Sequence, residues 1–310
     1  MGMATREPIL VMGFNRPQLL RQLIDRLRTV EPTRLYLAID GPRHDRNGEE
    51  QLVHECRRVV EFIDWDCDVK TLFQDRNLGC GQGVSSAIDW FFENEEQGII
   101  LEDDILPDPS FFGFCSELLE RYRDDDRVFA ISGCNFVPPD YQSEPDLPYR
   151  FTNVPHIWGW ATWRRSWESY LLDIADWRDR LTTRELWRAV DRSLPGFVYW
   201  NSTFELLARK QVDTWDGQLV LAAMEQSGLI ANSNVNLIEN LGFGPEATHT
   251  LEDRRDLRSV ESISLPLAQV PVVQDKRADA WTREHHFLAT WRGMLGQAQR
   301  FLHMKRKSAR

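Results

Sequence analysis

The first half of the chain alternates short, unbroken apolar runs with longer stretches whose apolar residues recur at helical spacing. Ile9-Leu10-Val11-Met12 reads as a strand. After Asn15-Arg16-Pro17, the residues Leu19, Leu20, Leu23, Ile24 and Leu27 form the stripe of an amphipathic helix with Pro17 in its first turn. Leu35 to Ile39 is a second strand, stopped by Asp40-Gly41-Pro42, where glycine and proline impose a turn. Val69 to Phe73 is a third. Asn77-Leu78-Gly79-Cys80-Gly81-Gln82-Gly83 then leads into a helix running through Phe92, and Gly98 to Leu101 is a fourth strand that passes straight into Glu102-Asp103-Asp104. A helix over 110–122 and a strand over 128–132 continue the series.

This alternation predicts an α/β fold, a mostly parallel central sheet with flanking helices. Open sheets of that kind bind ligands in the crevice beyond the carboxyl ends of their strands. Arg16, Asp40 and the acidic triplet all fall at that edge. Beyond about residue 135 the rhythm weakens and tryptophan becomes frequent, at 158, 160, 163, 167, 177, 187, 200 and 215. A polar, proline-containing stretch follows from Glu252 to Lys276, and the chain ends in a predicted C-terminal helical tail.

Composition narrows the partners. With 310 residues, 42% of them hydrophobic, the chain can bury a large core without staples. A net charge of -11 argues against nucleic acid as a partner, so any phosphate-bearing substrate needs a cation beside it. Five cysteines at 56, 67, 80, 115 and 134 make no CxxC pair, which fits a reducing compartment. No apolar run nears the roughly 20 residues a membrane span needs and no signal-peptide core precedes the first strand, so a cytoplasmic location is expected. The basic tail mixes Leu295, Phe301 and Leu302 with Arg300, Lys305, Arg306 and Lys307; this composition suits either a solvated terminal helix or a peripheral contact with an anionic membrane.

Several residue groups carry candidate chemistry. Carboxylates leaving a buried strand are held in fixed directions, and the hard oxygens of Glu102, Asp103 and Asp104 suit Mg²⁺ or Mn²⁺. These ions take one or two protein carboxylates and complete their shells with phosphate oxygens and water. Asp124-Asp125-Asp126 has the same chemistry but follows a helix, and reads as a solvated turn. Arg16 and Asp40 are candidates for the phosphates and the base or ribose of a nucleotide. The glycines at 79, 81 and 83 match neither GxGxxG nor GxxxxGK[ST]; they either offer helix N-terminal amides to an anion or allow close packing. Asp213-Thr214-Trp215-Asp216 offers a general base, with Asp213 and Asp216 both open, beside a tryptophan that is either a sugar platform or core. His249 is a candidate metal or diphosphate ligand.

Together these residues, in this order, resemble the glycosyltransferase A fold, and within it the inverting transferases similar to N-acetylglucosaminyltransferase I. The matching motifs are Asn15-Arg16 after the first strand, Asp40 after the second, and Glu102-Asp103-Asp104 followed by Pro109-Ser110-Phe111-Phe112. Further on come Trp158-Gly159-Trp160, Trp215-Asp216, and Phe243-Gly244 with Thr248-His249. The likeness spans about residues 8 to 250. It implies that Asp104 and His249 bind Mn²⁺ or Mg²⁺, that Arg16, Asp40, Asn77, Gly79, Glu102 and Asp103 hold a nucleotide-sugar donor, UDP-linked, and that Asp216 is the base. Residues 1–250 are then one catalytic domain, with a nucleotide-sugar half over 1–135 and an acceptor half over 136–250. Residues 251–310 form a connector and basic C-terminal helix.

The chain departs from the family in two places. Animal members carry a membrane anchor that this sequence does not show, so a glycan or lipid-linked acceptor of polysaccharide biosynthesis is expected in place of theirs. The loop at Gly79-Cys80-Gly81 also differs, which leaves the donor sugar open. The rivals are a retaining transferase, a sugar nucleotidyltransferase of the same fold, and a non-enzymatic carbohydrate-binding subunit. The nucleotidyltransferase expects a Gly-rich basic loop that Met12-Gly13-Phe14-Asn15-Arg16 does not supply.

Overall fold

The computed structural model describes residues 5–242, 259–291 and 293. The chain begins β1 (Ile9–Gly13), α1 (Pro17–Leu27), β2 (Arg34–Ile39), α2 (Glu49–Arg57), β3 (Asp68–Phe73), α3 (Gly79–Asn94) and β4 (Gln97–Glu102). It continues with β5 (Ile105–Pro107), α4 (Pro109–Arg121), β6 (Val128–Ser132), β7 (Tyr149–Thr152) and β8 (Trp160–Trp163). Two short helices, α5 (Arg164–Trp167) and α6 (Trp177–Arg180), precede α7 (Thr183–Ala189), α8 (Leu194–Ala208) and α9 (Asp216–Glu225). The last elements are β9 (Leu229–Ser233), β10 (Ile238–Asn240) and α10 (Lys276–Trp281).

Eight strands form one sheet in the order β3-β2-β1-β4-β8-β6-β9-β7. β1 pairs in parallel with β2 and β4, and β2 with β3. β8 runs antiparallel to both β4 and β6, β9 is parallel to β6, and β7 closes the edge antiparallel to β9. All but β7 and β8 therefore point the same way, and the mostly parallel sheet with flanking helices is as the sequence predicts.

Period-two geometry explains why the strand segments read as unbroken apolar runs. Ile9 and Val11 of β1, Leu35 and Leu37 of β2, and Ile99 and Leu101 of β4 face one core with α1 and α4. Leu10, Met12, Tyr36 and Ile100 face the other, against Ala87, Ile88, Phe91 and Phe92 of α3. A strand covered on both faces has no polar side to show. In α1 the predicted stripe is buried at Leu20, Leu23, Ile24 and Leu27, while Leu19 is only partly covered. Each such side chain contributes roughly 1.5–3 kcal/mol when fully buried.

The second half completes the same sheet and adds a layer of its own. β8 puts Trp160 into the α3 core and Trp163 into the α4 core. α9 is buried from Gly217 to Met224, wedged between the α3 core and a third cluster built by Trp177, Leu186, Trp200 and Phe204. The stretch over 259–291, expected as a connector, lies against the domain. Leu267 and Val270 join the first core, Arg121 donates to the carbonyls of Leu267 and Ala268, and Asp279 is buried beside Thr152. Among the described residues no helix is long and apolar enough to cross a membrane. The basic tail lies outside the described residues.

Candidate active site

The carboxyl ends of β1, β2 and β4 open onto a cavity of about 900 Å³, at the upper end of ligand-pocket sizes. Arg16, Asp40, Asn77, Gly79, Glu102, Asp103, Asp104 and Asp216 all line it, as does Asp213. His249 lies outside the described residues. The ribbon of β5 with β10 pairs Asn240 with Ile105 and brings Gly242 against Asp104, so closely that a Cβ there would overlap Oδ2.

At the end of β4 three carboxylates face one guanidinium. Arg16 donates through Nη2 to Asp103 and through Nη1 to Asp104 Oδ2 at 2.7 Å, while the Phe14 amide donates to Asp103 Oδ2 at 3.4 Å. Burial pushes Glu102 up to about 8, reinforced by the Asp104 and Asp103 charges. Burial also pushes Asp103 up to about 6, against the pull of Arg16. Burial works against the Arg16 charge too, but Asp103 and Asp104 outweigh it and hold the guanidinium protonated. The set holds three acids to one base, and the raised Glu102 lets it shed part of its negative charge by protonation.

Hard oxygens in electrostatic excess fit Mg²⁺ or Mn²⁺. Among the described residues no three His, Cys, Asp or Glu side chains converge as a ready cage.

The second group surrounds the start of α3. Asp40 Oδ1 accepts from the amides of Gly41 at 2.8 Å and Leu78 at 3.0 Å, and Oδ2 accepts from Asn77 Nδ2 at 2.8 Å. Burial raises its pKa, with the Leu78, Gly41 and Gly79 amides opposing. The next two amides of the helix, Cys80 and Gly81, donate to Asp213 Oδ2 and Oδ1, each at 2.9 Å. Gly79 sits at φ +82°, and a Cβ there or at Gly81 would lie 2.6 or 2.8 Å from an Asp213 oxygen. In the structure the Cys80 and Gly81 amides are taken by a carboxylate of the chain itself, Asp213, while Asn77 and Gly79 line the cavity beside Asp40.

Asp213 therefore has both oxygens occupied. Asp216, first residue of α9, accepts through Oδ1 from Thr214 Oγ1 at 2.5 Å and from the Gly217 amide at 2.8 Å. Trp215 between them is buried, stacked on Trp160 with centroids 5.9 Å apart, and its carbonyl accepts from Tyr170 Oη at 3.2 Å. Trp215 is thus part of the core and also borders the cavity.

Sequence reasoning missed the far wall. Tyr199 and Leu206 of α8 line the cavity together with His286, Phe287 and Leu288, which follow α10. His286 stacks on Phe136 at 4.3 Å, and Phe136 packs edge-on to Trp158 at 5.1 Å. Burial pushes the neighbouring His156 far below the usual imidazole range. Only the aromatic density around Trp158 hinted at this wall; residues 286–288 carry no motif and reach the site through the packing of 259–281.

No protein-family model matches the sequence. No curated protein matches it at a significant level. Among solved structures the chain is similar to HddC from Yersinia pseudotuberculosis at 11% identity over 53% of this chain and 80% of that one, TM-score 0.34. UDP-glucose pyrophosphorylase complexed with UDP-glucose gives 10% identity over 74% and 90%, TM-score 0.36. The inositol-1-phosphate CTP transferase from T. maritima gives 9% over 74% and 86%, TM-score 0.35. Likenesses of this size carry no argument about activity.

Proposed function

We propose that the chain is a divalent-metal-dependent inverting glycosyltransferase that moves a sugar from a nucleoside-diphosphate donor, UDP-linked, to a hydroxyl of a glycan or glycolipid acceptor. One observation carries this reading: Glu102, Asp103 and Asp104 leave a core strand into a large cavity, with Arg16 paired to Asp103 and Asp104. Such a cluster relieves its charge either by protonation, as the raised Glu102 shows, or by taking up a cation.

Asp40, held by Asn77 and Leu78, presents its remaining acceptor capacity to nucleotide N–H or ribose hydroxyl groups. Asp104 is the protein ligand of the ion, with His249 as its expected companion. When bound, the ion supplies neutralisation of the departing diphosphate. Asp216 takes the acceptor proton through its carboxylate as the hydroxyl oxygen bonds to the anomeric carbon. As that bond forms, the anomeric carbon–phosphate oxygen bond on the opposite face breaks, its electron pair going to the diphosphate. Of the two acids Asp216 is the better candidate: both its hydrogen bonds fall on Oδ1, whereas Asp213 uses one oxygen for each of the Cys80 and Gly81 amides.

A second reading is nucleotidyl transfer, the activity by name of a pyrophosphorylase and a CTP transferase among the similar structures. It gives Asp216 no task. Thermal-shift titration of UDP-sugars with and without Mn²⁺, followed by the anomeric configuration of the product, tests the proposal. The expected result is a melting rise that needs both ligands, and an inverted product. Pyrophosphate release from a nucleoside triphosphate and a sugar 1-phosphate would instead establish the second reading. The cytoplasmic location, with or without membrane contact by the basic tail, remains part of the proposal.

A further inference from the structure

Asp213 belongs to neither half of the proposed chemistry. Each of its oxygens accepts one backbone amide, and those amides lie 133 and 132 residues away in sequence. Its two bonds join the first turn of α3 to the loop that delivers Asp216. Leu78, one residue before that turn, and Asn77, two before, hold Asp40. Thr214, one residue after Asp213, donates to Asp216, and the Thr214 carbonyl accepts from Gln218 Nε2 at 3.0 Å.

Three glycines keep this junction close. A Cβ at 79 or 81 would strike Asp213, and one at 83 would press on Asp40 at 3.3 Å. Side-chain carboxylates on backbone amides are charge-assisted bonds, and a pair from one carboxylate fixes orientation as well as distance. They also sit at the positive end of α3, a helix of 16 residues, where an anion is favoured.

We propose that Asp213 is a positioning residue that couples the donor side of the cavity to the base, so that Asp40 and Asp216 are set in register through one carboxylate. This rests on the glycosyl-transfer reading. Losing the coupling displaces both loops, so donor KM rises and kcat falls together; a defect confined to the nucleotide side, as in Asn77→Ala, raises KM alone.

The test is Asp213→Ala, with Asp213→Asn as the second variant, which keeps one acceptor oxygen and leaves the fold better protected. Steady-state kinetics with UDP-sugar and Mn²⁺ should show donor KM raised about tenfold and kcat lowered about tenfold in Asp213→Ala, with a smaller change of both in Asp213→Asn. Amide hydrogen exchange should rise at Cys80 and Gly81 and, in the same variants, at Gly217. If only KM or only kcat moves, or exchange rises at 80–81 with Gly217 unchanged, the coupling is wrong. Should the wild type neither bind UDP nor turn over, the functional reading fails. The exchange at Gly217 in the two variants then decides the coupling on its own.

Discussion

Arg16 Nη1 lies 2.7 Å from Asp104 Oδ2, so the residue expected to meet phosphate is paired with the residue expected to meet metal. The guanidinium thus stands in for a cation at the acids. On the proposed reading, an ion entering the site competes with it and frees the guanidinium for a diphosphate.

Arg16→Met should therefore tighten Mn²⁺ binding in the absence of nucleotide by about tenfold while weakening UDP binding. Calorimetric titration of each ligand measures both. It should also lower stability by about 2–4 kcal/mol, since it strips the buried Asp103 of its partner. Metal affinity equal to wild type would show that the two cations do not compete.

Asp104→Asn and Asp216→Asn should separate binding from chemistry. The first is expected to remove the Mn²⁺ dependence of donor binding. The second should leave donor affinity within about twofold and lower turnover by about a thousandfold, in the range of lost general bases. Isothermal titration beside single-turnover rates distinguishes them, and equal loss of donor affinity in both would contradict the assignment of Asp216.

Gly41→Ala should disturb the nucleotide side from the backbone. A Cβ at 41 would overlap main-chain atoms of Arg76, which cannot yield as a side-chain tip can. A loss of about 2–4 kcal/mol is expected from urea unfolding, with weaker UDP binding because Asp40 is the adjacent residue. A stability unchanged from wild type would mean that the two loops have room to part.

Asp279 offers a pH test away from the cavity acids. Burial pushes it up to about 6, against bonds from Thr152, Gln274 and the Asn153 amide. A folded pKa above the unfolded one, near 3.9, means that the native state keeps its proton longer. The stability from this group is thus fully present below about pH 4 and lost as pH rises to about 6. Asp279→Asn should remove that slope, worth at most about 2–3 kcal/mol across the window. Urea midpoints at pH 4 and 6.5 that fall equally in variant and wild type would refute it.

The strands β1 to β4 and β6, and helices α1, α3 and α4, were legible because each is a single rhythm bounded by glycine, proline or a charge cluster. β8 was not. Its WATW sequence has one tryptophan for each core, and nothing in four residues says that it slots between β4 and β6. The acids at the strand ends were legible for a topological reason, since carboxyl ends of parallel strands share an edge. What each acid touches was not, because the Arg16 partners lie 87 and 88 residues away and Asp213 reaches back to α3. Side-chain pairing across such separations leaves no periodic trace.

The place of β8 has a practical corollary for anyone cutting the chain. Its backbone hydrogen bonds zip β4 on one side and β6 on the other, so a fragment ending near residue 135 would expose two sticky edges in the middle of the sheet. The halves before and after residue 135 cannot be exchanged as modules at that point; a workable chimera has to carry residues 160–163 with whichever half it borrows.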